Sequence, residues 1–304
     1  PQAGRPLMRL TLPLAPTEPL AFGLRPALAL SPDGTRLVYV ASRSGAPQLY
    51  LRPMDQPEAK PLPGTEGAEG PFFSPDGQWI GFNAQGKLKK ISVTGGAPVI
   101  LCDAQSLNGA SWGPDNTIIF APGINSGLSR ISAAGGAPQV LTTPAKGENS
   151  HRWPEILPGG QAVLFSIGFT NDARIGVQSL KTGERRILME NGQQPRYAPS
   201  GHLVFVRGAA LFAAPFDLAG LRVTGPEAPI LDGVMMTRFR LAGQFTFSNV
   251  GSLIYVPGGA GAERLVSVDR NGGVRPLPIP PRSFLQPRLS PDGKRVAVTI
   301  SDPN

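Results

Sequence analysis

The chain has 304 residues, 40% of them apolar, which allows a sizeable core and excludes a disordered chain. Its 38 glycines and 34 prolines fall between short apolar runs, the pattern of many tight turns joining many strands. The formal charge is +8, yet only 16% of residues are charged and the basic ones are scattered, so the balance reads as a solvated surface and predicts no nucleic-acid partner.

A tetrapeptide, Ser-Pro-Asp-Gly, recurs along the chain. It stands at 31–34, 74–77 and 290–293, with degenerate copies at 113–116, 157–160, 198–201 and 248–251. The second residue of each copy falls at 32, 75, 114, 158, 199, 249 and 291, a step close to 43 residues. The chemistry suits a hairpin tip: proline presets φ, aspartate bonds back to nearby N–H groups, and glycine accepts a positive φ. A carboxylate that caps its own turn is the reading for Asp33, Asp76, Asp115 and Asp292, because a calcium loop needs several oxygens in one segment.

Two positions before the turn proline stands a large apolar residue in every unit: Leu30, Phe73, Trp112, Ile156, Tyr197, Phe247 and Leu289. Three positions before it the residues are mixed: Ala29, Phe72, Ser111, Glu155, Arg196, Thr246 and Arg288. One side of this strand is thus predicted to be buried while the other varies. A near-continuous apolar run follows each turn, as in Leu37-Val38-Tyr39-Val40 and Val163-Leu164-Phe165, which predicts a strand covered on both faces. Third strands such as Gln48–Leu51, second turns such as Gly95-Gly96-Ala97-Pro98, and a more polar fourth strand complete the unit.

Four antiparallel strands per unit of this length predict an all-β fold, a β-propeller, with six complete blades and a partial seventh. The predicted blades cover about 24–66, 67–104, 105–149, 150–191, 192–238, 239–281 and, in part, 282–304. Residues 1–23 form an N-terminal segment whose run Leu7–Leu12 could supply a ring-closing outer strand to the last blade. The incomplete seventh blade and the start at Pro1 suggest a piece of a longer protein. No apolar run approaches the length of a membrane span, and the lone Cys102 reads as a structural thiol.

The turn with its flanks, as in Leu289-Ser290-Pro291-Asp292-Gly293-Lys294-Arg295-Val296-Ala297, resembles the TolB-type, WD-like propeller repeat over residues 24 to 300. Four segments, Leu49–Asp55, Gly70–Gly77, His151–Pro154 and Ala214–Asp217, are similar to the propeller region of bacterial eukaryotic-type serine/threonine kinases. That resemblance implies a sensor or scaffold on the extracytoplasmic side of a membrane-anchored parent. No Gly-rich loop, His-Arg-Asp or Asp-Phe-Gly motif stands in these residues, so phosphoryl transfer is not assigned to them.

Gly109-Ala110-Ser111-Trp112-Gly113 matches a serine-hydrolase elbow in letters, but a strand follows where the elbow needs a helix. His151 and His202 stand at different blade positions without ligand spacing, so neither a metal nor another cofactor is expected. The expected function is binding without catalysis. In a propeller the first strand of each blade lines the axial channel, so a polar channel mouth is expected from Glu69, His151, Arg152, Trp153, Glu155, Gln194, Arg196, Gln244, Gln286 and Arg288. It would hold a protein, a peptide or a small anionic ligand, or else the residues bond between blades. Two further readings remain open: an accessory propeller of a prolyl-oligopeptidase-type peptidase, and a TolB-like periplasmic interaction protein.

Overall fold

A computed structural model describes residues 9–14, 19–42, 45–169, 172–237, 242–258, 265–268, 273–280, 284–293 and 295–300, with the side chains of 285 and 286 left undescribed. The fold is a β-propeller of antiparallel blades. Blade one is built from Leu28–Leu30, Arg36–Ala41, Gln48–Pro53 and Lys60–Pro61. Blade two uses Glu69–Phe73, Trp79–Ala84, Lys87–Ser92 and Val99–Asp103, and blade three Ala110–Trp112, Thr117–Phe120, Ser129–Ser132 and Gln139–Val140. Blade four follows with His151–Ile156, Ala162–Ile167, Arg174–Ser179 and Arg185–Met189. Blade five has Gln193–Ala198, His202–Arg207, Ala210–Asp217 and Ala228–Leu231, plus the short Arg222–Val223 on the far end of its long third strand.

The recurring turns work as their chemistry demands. In the first, Ser31 donates to the Asp33 carboxylate at 2.5 Å, and the Thr35 amide donates to the same carboxylate at 3.0 Å. The Arg36 amide returns to Ser31 Oγ at 2.9 Å. The hydroxyl of Ser31 and the amide of Thr35 hold Asp33 down at a pKa of about 2. The last turn residue has positive φ in every unit, including Asn116 at 61° where glycine is replaced.

Six apolar clusters lie between neighbouring units. Val38, Val40 and Leu49 of blade one meet Ile80, Phe82 and Ile91 of blade two. Equivalent clusters join blades two and three, three and four, and four and five. The fifth joins blade five to the hairpin Phe245–Phe247/Leu253–Tyr255 through Val204, Val206 and Phe245. The sixth joins that hairpin back to blade one, where Ile254 and Val256 pack on Leu28, Leu37 and Tyr39.

The predicted count is therefore corrected. Among the described residues five blades of four strands or more are present, and a two-stranded hairpin in the sixth place closes the ring. The sixth unit has the weakest turn, Ser248-Asn249-Val250-Gly251, strands of three residues, and a glycine-rich stretch, Gly258-Gly259-Ala260-Gly261, behind it. Among the described residues its later strands, Val266–Val268 and Val274–Pro276, pair with each other and not with Leu253–Tyr255. The seventh unit supplies the hairpin Phe284–Leu289/Val296–Ile300 outside a ring that is already shut. Leu289 and Val296 are 66% and 41% exposed, whereas their equivalents Leu30 and Leu37 are 5% and 4%.

The N-terminal closing strand does not form among the described residues. Residues 7 and 8 lie outside them, and Leu10 is exposed. Leu14 packs on blade one, Pro13 accepts a hydrogen bond from Arg52, and Leu20 bridges Ala41. Residues 13, 14 and 20 of the N-terminal segment thus lie against blade one.

Cys102 sits half-buried on the fourth strand of blade two. Burial and the neighbouring Asp103 push its thiol from 9.0 up to about 11. Two units of pKa remove about 99% of the thiolate at neutral pH. Labelling of the folded protein by a thiol reagent is therefore expected to run about a hundredfold slower than labelling in urea, measured by mass spectrometry against time.

Candidate functional site

The first strands of the five blades and the closing hairpin surround the axis. Each runs from an entry loop, five residues before the turn, to the turn itself. The ten predicted mouth residues do not gather at one place, because the two ends of these strands do different work.

At the entry end the side chains join one unit to the next. Gln194 is fully buried. Its Nε2 donates to the Gly243 carbonyl at 3.1 Å, and the Gly243 amide donates to its Oε1 at 2.6 Å. One step further round, Gln244 accepts from the Ala27 amide at 2.7 Å and donates to the Arg25 carbonyl at 3.3 Å. Each primary amide grips a donor and an acceptor on the backbone of the following unit. Glu69 pairs with Arg25 across blades one and two. Trp153 lies at a bulge with φ of 52°, and its amide donates to the Asn108 carbonyl at 2.9 Å, joining blade four to the approach to blade three.

His151 and Arg152 are buried and do not reach the mouth. The guanidinium of Arg152 donates to Ser150 Oγ at 2.9 Å and to the Ile124 carbonyl at 2.6 Å, and lies over the Phe169 ring. The His151 ring packs on Phe165 and sits between Thr142 and Glu148, its Nδ1 2.6 Å from Thr142 Oγ1. Glu148 was not singled out from the sequence, yet its carboxylate also takes the Ala145 amide, Arg174 and Arg185. Arg288 is exposed on the hairpin outside the ring, and the Gln286 side chain lies outside the described residues.

Toward the turns the strands border an axial cavity of about 550 Å³. Its wall includes six of the seven residues three places before the turns, those of the ring itself: Ala29, Phe72, Ser111, Glu155, Arg196 and Thr246. Of the ten predicted residues, Trp153, Glu155 and Arg196 border this cavity. Glu155 and Arg196 form an ion pair at 2.6 Å, each 24% exposed. Pro75, Pro114, Pro158 and Pro199 stand exposed around the rim.

Ser111 and Thr246 belong to the same row and were missed as lining residues. Their shared register with Glu155 was the available signal. Ser111 Oγ accepts the Ile156 amide of the next blade at 3.0 Å, and Thr246 Oγ1 accepts the Leu30 amide at 3.1 Å. Both amides occupy the same place, two residues before a turn. Ser111 thus stitches blade three to blade four, and its strand leads into a turn and a second strand. Because the Glu155–Arg196 pair is partly exposed, Arg196→Ala is expected to cost less than about 1 kcal/mol by urea unfolding.

No protein-family profile matches the chain, and no curated protein matches it significantly. Solved structures do. A putative TolB from Agrobacterium tumefaciens is similar at a TM-score of 0.58 and 17% identity, over 76% of this chain and 90% of that one. TolB from Acinetobacter baumannii is similar at 0.54 and 18%, over 68% of this chain and only 54% of that one, about half its length. A streptogramin B lyase is similar at 0.56 and 16%, over 95% and 93%. The chain is a β-propeller with TolB-like structural neighbours. At these identities the likeness concerns the fold, and one propeller of the three is named for a lyase, so function has to be argued from the propeller's own site.

Proposed function

We infer that this propeller is a non-catalytic ligand- or protein-binding module whose site is the axial cavity on the turn side. The observation that carries this is the polar row around an open 550 Å³ space of ligand size, bordered by the Glu155–Arg196 pair. The polar groups there are tied to the frame: Ser111 holds the Ile156 amide, and the His151 imidazole belongs to the separate Thr142–Glu148 network. The Ser111 oxygen is engaged by that amide and the imidazole is engaged elsewhere, so the two do not form a nucleophile–base pair.

The kinase-like segments around Leu49–Asp55 and His151–Pro154 support a finer reading, a sensor or scaffold region on the extracytoplasmic side of a serine/threonine kinase-like parent. Among the described residues no helix is long and apolar enough to cross a membrane, so an anchor would belong to another segment. The binding reading is tested by screening peptides and small molecules for a rise in the unfolding temperature. Hits should quench the fluorescence of Trp112 and Trp153 on the cavity wall and weaken in Arg196→Ala. Hits that do neither would sink it. The coding sequence of the parent tests the finer reading: a kinase domain upstream is expected, and a hydrolase domain downstream would replace it with the peptidase-accessory role.

A further inference from the structure

We propose that the axial cavity takes a small neutral ligand with an amide group on a compact apolar body, the amide lodged between Arg196 and Glu155. This rests on the cavity being the binding site. In ring order the six residues of the lining row run Ala29, Phe72, Ser111, Glu155, Arg196, Thr246. Two consecutive units therefore present an apolar arc and the next four a polar one. The ligand must be amphipathic to match both.

The polar arc also sets the charge. Glu155 and Arg196 meet through one carboxylate oxygen and one guanidinium nitrogen. The other oxygen of Glu155 and the other N–H groups of Arg196 remain to bind a ligand. The pair sums to zero. An anion approaching Arg196 meets Glu155 at nearly the same distance, and a cation approaching Glu155 meets Arg196. The attraction of either charge to one member of the pair is therefore largely offset by repulsion from the other. A neutral amide avoids it, since its carbonyl accepts from Arg196 while its N–H donates to Glu155. Ser111 and Thr246 flank the pair, each accepting a backbone amide of the next unit, which leaves the hydroxyl hydrogens to donate to further carbonyl oxygens of the ligand. Ala29 and Phe72 on the opposite arc receive the apolar body.

Three probes of nearly one shape separate the charges: N-acetyl-leucine methylamide, which is neutral, N-acetyl-leucine, which is anionic, and leucine methylamide, which is cationic. Binding to the intact chain is read by ligand-observed NMR and by Trp fluorescence. The neutral probe should bind at least about tenfold more tightly than either charged one. Arg196→Ala and Glu155→Gln should each remove that preference, while far-UV circular dichroism confirms that both variants stay folded. Preference for a charged probe that is lost in either variant would overturn the amide assignment and leave the cavity as the site. Absence of binding by all three at millimolar concentration would also overturn the amide assignment. Binding of all three that neither variant alters would overturn the cavity as the site as well.

Discussion

Gln244→Ala is expected to destabilise the ring by about 2–3 kcal/mol and to lower the unfolding temperature by on the order of 5 °C. Gln244 is 1% exposed and lies at the seam between the closing hairpin and blade one. Truncation removes the acceptor of the Ala27 amide and a donor to the Arg25 carbonyl. Ala27 is 2% exposed, so water does not replace the lost acceptor, and the stranded N–H contributes most of the cost. Gln194→Ala should behave alike at the other edge of the hairpin, where the gripped backbone is Gly243. Hydrogen exchange gives the sharper readout. Loss of either clamp should expose the amides of Phe245–Phe247 and Leu253–Tyr255 before those of blades two and three. Uniform loss of protection around the ring would show that the seam is no weaker than the other joints.

The turns that made the repeat legible are local. Ser-Pro-Asp-Gly closes on itself through Ser31, Asp33 and Thr35, so its letters carry its structure without help from the rest of the chain. The apolar residue two places before each turn is legible for a similar reason, since a strand alternates its faces. Blade number is different. A seventh turn at Pro291 is as good a turn as the first, with Ser290 bonded to Asp292, yet its hairpin stands outside the ring. Closure depends on whether Ile254 and Val256 meet blade one, a contact across more than two hundred residues that no local pattern records. The lining of the candidate cavity was partly legible. Register placed Glu155 and Arg196 in one row, and both border the cavity; the entry-end residues were grouped with them because a sequence does not say which end of a strand faces a cavity. Gln194 and Gln244 bond between blades, the plainer of the two roles expected for them.

Acid should weaken the protein in two steps, and the buried network on blade four sets the first. Burial is the largest influence on His151 and pushes its pKa below the ordinary 6.5; Glu148 pulls it up and Arg185 adds to the lowering. Burial alone would raise Glu148, but the Ala145 amide, His151 and Arg185 together outweigh it and hold the carboxyl below the ordinary 4.5. Arg174 at 3.3 Å is the remaining charge against that carboxylate. Both folded pKa values are depressed, so below 6.5 the unfolded chain binds the histidine proton more readily than the folded one. The stability this provides is complete above pH 6.5 and is lost as pH falls from there toward the folded value. The Glu148 contribution is complete above pH 4.5 and is lost below it. One proton sets a ceiling of about 1.4 kcal/mol per pH unit on the first step. Urea unfolding should show a midpoint that falls between pH 7.5 and 5.5 in the native chain and stays flatter over the same range in His151→Gln. Glu148→Ala should cost about 2 kcal/mol at pH 7.5, because it leaves Arg174 and Arg185 without their shared carboxylate and removes the carboxylate oxygen beside His151 Nε2. An equally steep fall in His151→Gln would place the acid sensitivity elsewhere in the ring.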